Sequence, residues 1–443
     1  MHDPEPSAST DPSDDDDDWN DWVEDPRAAA PAPVHAVLVL STTVPVAGGA
    51  ALARDPGGRV VFVTGALPGE QVEVELTEQK KDFARAVVTH VVEPSPDRIE
   101  PPCPHVADGC GGCDLQHAAA AAQPEIKRTV VLDALRRLGH LDDPVVELGP
   151  FLATTGFRTT VRCGVVDGRA GFRLAKSHDI LDIDHCLVAH PRIDDLIVRG
   201  DYDGADEVVL RVGAHTGEAM VVAAPTAGAI ELPDDLDHVL VFGEDELAQG
   251  KRAWIHEVVH GHRFRISAHS FFQTRPDGAA ALVDVVRDLG GDELRGAATV
   301  LDAYGGVGLF GALAAPAGAR VILVEASRSA TIDARQTLEG RDVKIIRSDM
   351  ETWRPATADV VIADPSRDGL GKKVVASLAA TEAGTIVLVS CDAAALGRDA
   401  RLLTAAGYRL ERSVLVDLFP QTHHVEVVSR FVRAAATGGT GSD

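Results

Sequence analysis

The spacing of apolar residues divides the chain into a β-rich first half and an alternating second half. Between residues 34 and 93, runs that alternate apolar and polar positions predict strands at 34–40, 60–63, 71–76 and 85–92. Turn residues, mainly Gly and Pro, separate these runs. Four or five short strands in about sixty residues suit a small OB-like barrel. A β module without any nucleic-acid role fits the same pattern.

The stretch 94–268 begins with three closely spaced cysteines, which are followed first by a helical pattern and then by strand patterns. Apolar residues recur at helical spacing over 123–138, which predicts a helix there. Strand patterns follow at 157–166, 207–212 and 254–266. We therefore expect a β-rich central domain, with a helix near 117–140 that packs on the domain after it.

From residue 269 onward, apolar runs alternate with helical stretches. The predicted strands are 299–303, 319–325, 343–346, 359–363 and 385–390. Such alternation is typical of a doubly wound, mostly parallel sheet that binds its ligand at the carboxyl ends of its strands. We expect this domain to cover 269–434 and a flexible tail to follow at 435–443.

The acidic charge of the chain is concentrated at its start. Of the net charge of −26, residues 1–26 contribute eleven acidic side chains and no Lys or Arg. We therefore predict that residues 1–33 form a disordered acidic tail and linker, or else an arm that binds a partner. The rest of the chain is still acidic, by −15 on the same count, so any nucleic-acid binding needs a local basic patch.

Neither a membrane span nor a secretion signal is predicted. No apolar run approaches the roughly 20 residues that span a bilayer. The N-terminus also lacks a basic segment followed by an apolar stretch. We therefore expect a cytoplasmic protein.

A glycine-rich turn follows the first strand of the alternating half. Gly305, Gly306 and Gly308 lie between a predicted strand and a predicted helix, where glycine lets the backbone approach a ligand closely. Glu325 ends the next strand, where an acidic side chain can accept hydrogen bonds from ribose hydroxyls. Because Gly306, Gly308 and Gly311 also match G-x-G-x-x-G, an NAD-binding domain and a simple strand-to-helix turn remain alternatives.

Polar residues also mark the ends of the later strands. Asp364 ends the fourth predicted strand, and Cys391 lies between the fifth strand and a predicted helix. A helix N-terminus stabilises a thiolate, although a cysteine here can also be a small core residue. His423, His424 and Glu426 interrupt an apolar C-terminal strand. Such residues are costly unless paired or functional, the alternative being a solvent-exposed strand face.

The cysteine spacing indicates a metal site. Cys103, Cys110 and Cys113 lie close together in the sequence, and Cys186 lies further downstream. In a cytoplasmic chain such a set indicates metal binding or catalysis more often than disulfides. Four thiolates suit either zinc or an iron–sulfur cluster. Cys163 is expected to be a core residue.

Together these motifs resemble the bacterial 5-methyluridine RNA methyltransferases, in the branch with an N-terminal TRAM barrel and an iron–sulfur cluster. The resemblance spans about residues 34–432. Residues 61–70, VFVTGALPGE, look like the TRAM signature, and residues 419–426, FPQTHHVE, match the family almost residue for residue. Ser366 and Asp392 depart from the residues that the family usually has.

The resemblance implies a multidomain α/β fold. Its parts are an OB-like TRAM β-barrel at 34–93, a central β-rich domain with an iron–sulfur site at 94–268, and a Rossmann-like class I methyltransferase domain at 269–434. The implied cofactors are S-adenosylmethionine and a [4Fe-4S] cluster. The implied cluster ligands are Cys103, Cys110, Cys113 and Cys186. The implied S-adenosylmethionine positions are Gln273, Tyr304, Gly305, Gly306, Gly308, Glu325, Asp349 and Asp364.

The implied reaction is methylation of carbon 5 of a uridine in RNA, with rRNA favoured over tRNA. Cys391 matches the family's nucleophile and Glu426 its base. The alternatives are a non-catalytic RNA-binding protein with a degenerate methyltransferase fold and an NAD-dependent oxidoreductase. Candidate RNA contacts are Lys80, Lys81, Arg85, Arg158 and Arg162, and Gln421 is expected to lie near the site.

Overall fold

The computed structural model describes residues 37–434. The predicted tails at 1–33 and 435–443 lie outside the described residues. The first five strands are β1 (Val37–Pro45), β2 (Ala50–Arg54), β3 (Val60–Thr64), β4 (Gln71–Gln79) and β5 (Phe83–Glu93). They form a closed barrel in the order β1-β2-β3-β5-β4. Alternate residues of β4, including Val72 and Val74, fill its interior, so the predicted OB-like barrel is confirmed.

The central region contains a six-stranded sheet and a separate hairpin. Its elements are α1 (Gln123–Arg137), β6 (Val146–Leu148), β7 (Thr160–Val166), β8 (Arg169–Arg173), β9 (Ile180–Asp182), α2 (Pro191–Arg199), β10 (Glu207–Val212), β11 (Ala219–Ala224), β12 (Val239–Gly243), α3 (Glu244–Ala248), β13 (Trp254–Val259) and β14 (His262–Ser267). The sheet order is β12-β11-β10-β7-β8-β9. The β pattern predicted at 254–266 is the hairpin β13–β14, which turns at His260 and Gly261, both with positive φ.

The last region is doubly wound. Its elements are α4 (Pro276–Arg295), β15 (Thr299–Ala303), α5 (Leu309–Leu313), β16 (Arg320–Glu325), α6 (Arg328–Thr337), β17 (Val343–Arg347), β18 (Val360–Ala363), α7 (Gly371–Ala379), β19 (Thr385–Ser390), α8 (Ala393–Ala405), β20 (Tyr408–Leu415) and β21 (Val427–Arg433). Strands β15 to β19 pair in parallel, in the spatial order β17-β16-β15-β18-β19. The five predicted parallel strands are confirmed.

The same sheet continues beyond β19 with β21, β20 and β6. β21 is antiparallel to β19, whereas β6 pairs in parallel with β20. Helix α1 packs on α8 so closely that a Cβ added at Gly397 would lie 2.6 Å from the carbonyl oxygen of Ala134. Residues 123–148, which the sequence pattern assigned to the central domain, therefore complete the sheet of the last region.

Two hydrophobic cores enclose this sheet, one on each face. Alternate residues of β18 show the division, because Val360 and Ile362 belong to one core and Val361 and Ala363 to the other. Such two-sided burial explains why the parallel strands are continuous apolar runs in the sequence. Within residues 37–434, every helix is too short or too polar to cross a bilayer.

Candidate active site

Three predicted site residues lie where neighbouring strands meet at one edge of the sheet. Asp364 directly follows β18 and Cys391 directly follows β19. Glu426 directly precedes β21, which is antiparallel to β19 with Ser390 opposite Val427. This register brings Cys391 and Glu426, the next residues on each side, next to one another.

The electrostatic interactions of these groups also indicate that they are close together. Burial raises the pKa of the Cys391 thiol, and the carboxyl groups of Glu426 and Asp364 raise it further. Burial raises the pKa of Glu426 well above its usual range, and Asp364 adds to this effect. Burial, together with the Asp302 carboxyl group, raises the pKa of Asp364 to about 7. The site therefore contains a thiol and several acids whose charged forms are disfavoured.

Glu426 is buried without full hydrogen bonding. Glu426 is only 3% exposed, and its Oε1 atom has no hydrogen-bond partner among the described residues. The hydroxyl group of Ser390, next to Cys391, also lacks a partner there. A buried polar atom without a partner costs about 1–3 kcal/mol. Such a cost is typical of a site that binds something.

The expected stabilisation of the Cys391 thiolate by a helix N-terminus does not prevail in the structure, where the pKa of the thiol is raised. Helix α8 does begin just after Cys391, but Asp392 is its N-cap and accepts a hydrogen bond from the Ala395 N–H group at 2.7 Å. Burial outweighs the helix, and the Asp392 carboxylate itself raises the pKa of Cys391. Arg367 is the neighbouring cation that opposes these effects. The Asp392 departure from the family pattern preserves the helix cap.

The glycine turn after β15 is a tight cradle. Gly306 and Gly308 have positive φ, of 53° and 93°. At Gly305 there is no room for a side chain, because an added Cβ would lie 2.5 Å from Cγ of Leu323. Tyr304, at the start of the turn, has a φ of 59°, which is unusual for a residue other than glycine. A cradle of this shape allows the backbone to contact a nucleoside ligand.

Glu325, the predicted ribose-binding acid, braces this cradle. Its carboxylate accepts hydrogen bonds from the N–H groups of Gly306, at 2.9 Å, and Ser327, at 2.7 Å. Each carboxylate oxygen has a second lone pair, so both can still accept a hydrogen bond from a ligand hydroxyl group. The position at the end of β16, beside the glycine turn, fits an adenosyl ligand.

The remaining predicted cofactor residues lie around the same strand ends. Asp349 follows β17, is exposed and accepts a hydrogen bond from the Glu351 N–H group at 2.7 Å. Burial raises the pKa of Tyr304, and the charge of Asp349 raises it further, so these two side chains are neighbours. Gln273 is buried just before α4. The segment that contains it is anchored through Ser270, whose hydroxyl group donates to Asp333 on α6 at 2.6 Å.

Sequence reasoning missed Asp302 within β15. It is 1% exposed, and its carboxyl group accepts a hydrogen bond from the Gly311 N–H group at 2.8 Å. Burial, with a further contribution from Glu325, raises the pKa of Asp302 to about 7. The available signal was a single acidic residue inside an otherwise apolar strand.

The segment before Glu426 is packed against the cysteine-rich region. The backbone N–H group of His423 donates to Asp114 at 2.8 Å, and the two side chains are also hydrogen-bonded. Burial and the neighbouring His423 lower the pKa of His424 to about 3, so His424 is neutral at physiological pH. Gln421, which was expected near the site, is buried in this segment, and its side chain is hydrogen-bonded to Gln123.

The four predicted metal ligands lie in one neighbourhood. Burial raises the pKa of Cys110 and of Cys113, and the charges of neighbouring cysteines raise both further, Cys103 acting on Cys110 and Cys186 on Cys113. All four thiols are free and partly buried, whereas Cys163 is fully buried in the core as expected. Within residues 37–434, however, no group of three or more His, Cys, Asp or Glu side chains is arranged as a metal site. Their role as cluster ligands stays a prediction.

Of the remaining candidate RNA contacts, those on the barrel lie on an open face. Lys80 and Arg85 lie over the ring of Phe83, at 5.6 and 5.9 Å from its centroid, and Arg85 lies 5.9 Å from that of Phe62. Arg158 instead lies beside the cysteines, where its charge favours their thiolates.

The chain is similar to a known domain family and to known proteins. The TRAM domain model matches residues 35–89. A Streptomyces avermitilis protein described as an RNA methyltransferase is 36% identical over 423 residues, which cover 88% of this chain and 97% of that protein. A similarly described Streptomyces coelicolor protein is 37% identical over 422 residues, which cover 88% of this chain and 92% of that protein.

A solved structure is similar over most of the chain. It is the Pyrococcus abyssi tRNA (uracil-54, C5)-methyltransferase in complex with S-adenosyl-L-homocysteine. The two chains are 26% identical and align with a TM-score of 0.67, covering 89% of this chain and 99% of the other. These relatives are methyltransferases, so they favour S-adenosylmethionine over NAD as the ligand of the glycine cradle.

Proposed function

The chain belongs to the RNA methyltransferases and has a TRAM domain, and from this we propose that it methylates carbon 5 of a uridine in RNA through a covalent bond to Cys391. The observation that supports the proposal is the pairing of β19 with β21, which brings a thiol beside a buried carboxyl group whose Oε1 atom has no hydrogen-bond partner within residues 37–434. The similarity to a solved tRNA (uracil-54, C5)-methyltransferase supports the same chemistry.

The proposed reaction begins with the thiol. Carbon 5 of uracil is a poor nucleophile, so a covalent intermediate divides one difficult step into two easier ones. After its thiol proton passes to solvent, Cys391 Sγ bonds to carbon 6, and the electron pair of the 5,6 double bond moves onto carbon 5 and the adjoining carbonyl group. Arg367, whose charge lowers the pKa of Cys391, favours the thiolate that this step needs.

The second half of the reaction needs a methyl donor and a base. S-adenosylmethionine, when bound, would supply the methyl group to carbon 5, with the bond from the methyl carbon to sulfur breaking and S-adenosylhomocysteine leaving. Glu426 then takes the proton from carbon 5, the electron pair left behind re-forms the 5,6 double bond, and the bond from carbon 6 to sulfur breaks. Because a stacked uridine is out of reach of both side chains, we expect the target base to be flipped out or unpaired.

The residues of the cradle fit the methyl donor. We propose that Tyr304, Gly305, Gly306, Gly308 and Glu325 hold its nucleoside part. Asp349, Gln273 and Asp364 complete the proposed set. The positive sulfonium group would favour the ionised form of Asp364, whose pKa of about 7 lies within reach of such a shift.

We also propose that Cys103, Cys110, Cys113 and Cys186 hold an iron–sulfur cluster. The donor chemistry suits such a group, which would cross-link residues 103–113 to the segment around residue 186. None of the proposed reaction steps involves it. Iron content and visible absorbance of the purified protein test the proposal, and Cys110→Ser should reduce both.

The RNA substrate is addressed by the main experiment. Purified protein is incubated with S-adenosylmethionine labelled in its methyl group and with rRNA or tRNA, each taken from cells that lack this gene. The RNA is digested to nucleosides, which are identified by mass spectrometry. We expect labelled 5-methyluridine in one of the two RNAs, with rRNA favoured by the sequence resemblance.

The matched variant for this experiment is Cys391→Ala. It should form no 5-methyluridine, while its affinity for S-adenosylmethionine stays within about twofold of the original, because the thiol is not part of the cradle. Turnover by Cys391→Ala would rule out the covalent step. Labelling of another position of the base, or of the ribose, would rule out the proposed reaction.

A further inference from the structure

The segment 417–424, called here the base loop, leads directly into Glu426, and the structure assigns its positioning to two side chains of α1. We infer that Gln123 and Lys127 are positioning residues that hold the Glu426 carboxyl group in place through the base loop. The inference rests on the proposed function, in which Glu426 is the base.

Lys127 fixes the start of the base loop. Its ammonium group donates to Oδ1 of Asp417 at 2.6 Å and to the carbonyl oxygen of Phe419 at 2.8 Å. Lys127 is only 1% exposed, and moving an ammonium group out of water is costly. Two hydrogen bonds from one buried cation therefore tie two points of the loop to α1.

Gln123 fixes the middle of the base loop. Its Oε1 atom accepts a hydrogen bond from the backbone N–H group of Gln421 at 2.7 Å, and its Nε2 atom donates to Oε1 of Gln421 at 3.0 Å. Nε2 also donates to the carbonyl oxygens of Leu115 and Ala118. The Gln123 amide is fully buried, so it connects the base loop and the cysteine-rich segment to α1 inside the protein.

Gln421 has a backbone conformation that requires such support. Its φ of 70° lies in the left-handed region, which disfavours residues other than glycine. Strained conformations persist only where the surroundings over-determine them. Here Gln421 is held by both bonds to Gln123 and by a third, from the Leu115 N–H group to the Gln421 carbonyl oxygen at 2.9 Å.

The far end of the base loop is held from two other sides. Asp114 binds both the backbone and the ring of His423. The β1–β2 turn of the barrel packs on this pair, because a Cβ added at Gly49 would lie 3.2 Å from Oδ2 of Asp114 and from Cβ of His423. The loop is therefore enclosed between the barrel, the cysteine-rich segment and α1.

Glu426 depends on this support. Its Oε1 atom has no hydrogen-bond partner within residues 37–434, so its position follows from the backbone on either side. After Glu426 that backbone is β21, and before it is the base loop. Loosening the loop should therefore affect the step that uses Glu426 more than the earlier addition of Cys391, which is held by β19 and α8.

This difference between steps defines the experiment. Gln123→Met keeps the length of the side chain but removes both hydrogen bonds between residue 123 and Gln421. In the full-length protein we expect the rate of 5-methyluridine formation to fall about 10- to 100-fold, the effect of a misplacement near 1 Å. The fraction of protein bound covalently to RNA during turnover, seen on a denaturing gel, should rise several-fold.

Gln421→Gly is the second variant, because glycine adopts the same φ without strain and lacks the side chain that Gln123 binds. It should show the same pattern as Gln123→Met to a smaller extent, because the bond from the backbone N–H group of residue 421 to Gln123 is retained. The control is Val131→Ala on the same helix, since Val131 is buried in the core beneath the sheet. It should lower the melting temperature and leave the covalent fraction unchanged.

Glu426→Gln serves as the reference and should accumulate the RNA adduct most strongly. If Glu426→Gln accumulates none, the proposed function itself fails. If Glu426→Gln accumulates the adduct while both test variants turn over normally, the positioning inference is overturned. It is equally overturned if both variants lose adduct formation and product formation to the same extent, because that is the result of a purely structural role.

Discussion

Two buried glutamates, one in the barrel and one in the active site, have opposite surroundings. Glu70, before β4, is 1% exposed and accepts hydrogen bonds from the N–H groups of Leu67 and Ser95 and from the guanidinium group of Arg98. Burial alone would raise its pKa, but Arg98 and the N–H groups outweigh burial, so the pKa of Glu70 is lowered. Its charge is fully compensated.

Glu426 is about as deeply buried, at 3% exposed, yet one of its oxygens lacks a partner in the described part of the chain and its pKa is raised. The difference is in the partners and not in the burial. A buried acid with complete hydrogen bonding stabilises the fold, whereas one with a missing partner is available to a substrate. The sequences around Glu70 and Glu426 do not show which of the two carboxyl groups has complete hydrogen bonding.

The largest expected effect comes from removing the carboxylate in the active site. Glu426→Gln should reduce the rate of 5-methyluridine formation by at least about 100-fold, the usual contribution of a general base. The free energy of unfolding of this variant should not decrease, because the native Glu426 carboxyl group has few hydrogen bonds to offset the cost of burying it. Turnover assays and urea denaturation measure the two quantities. A destabilised variant with normal turnover would place Glu426 in the same class as Glu70.

The matching change in the barrel should have the opposite result. Glu70→Gln should lower the free energy of unfolding by about 3 kcal/mol, since it breaks a buried ion pair and leaves Arg98 without its partner. The turnover of the protein that remains folded should change less than about twofold, because Glu70 lies outside the proposed site. Loss of turnover without loss of stability would contradict the comparison.

The pH dependence of stability sharpens the comparison further. Asp302 and Asp364 each have a pKa of about 7 in the folded protein, against 3.8 as the ordinary value for an aspartate. Between about pH 4 and pH 7, these two carboxyl groups are therefore protonated in the folded state and ionised in the unfolded chain. Their contribution to stability is complete below about pH 4 and lost by about pH 7. The slope is at most about 1.4 kcal/mol per pH unit and proton.

Asp302→Asn should remove part of this slope between pH 4 and 7. The measurement is urea denaturation at several pH values, compared with Asp143→Asn, a change at an exposed position that should leave the slope as it is. An Asp302→Asn protein with the original slope would show that this carboxyl group keeps an ordinary pKa.

The smallest effect is expected on the barrel surface. Arg85, whose guanidinium carbon lies 5.9 Å from the ring centroids of both Phe62 and Phe83, is proposed to contact RNA phosphate. Arg85→Ala should weaken RNA binding and reduce the slope of log affinity against log salt by about 0.7, the value for one phosphate of a single strand. Arg137→Ala, an exposed change on α1, is the control. An unchanged slope would exclude a phosphate contact at Arg85.

The sequence pattern predicted those parts of the fold that depend on local periodicity. The parallel strands were found within one or two residues of their ends, because burial on both faces makes them continuous apolar runs. In the barrel, four of the five strands were predicted, with ends up to five residues from those observed, and β2 was missed. The short strand β6 was not predicted, since three residues contain no periodic signal and its pairing depends on β20 far along the chain.

The site was predictable in its residue types and only partly in its chemistry. Cys391 and Glu426 were found at the ends of two strands, but the sign of the pKa shift at Cys391 was not, because it depends on burial by distant segments. Gln123 and Lys127 were missed altogether. Gln123 binds a residue 298 positions away, and no local pattern distinguishes a helix glutamine that faces such a partner from one that faces solvent.

The pairing of β6 with β20 has a consequence for how the protein is made. Proteins are synthesised from the N-terminus, so helix α1 and β6 leave the ribosome long before β20 and α8 exist. Until those later segments appear, the part of α1 that packs on α8 and the edge of β6 that pairs with β20 lack those partners. The earliest-made part of the sheet therefore completes its pairing only after the latest-made strands have been synthesised.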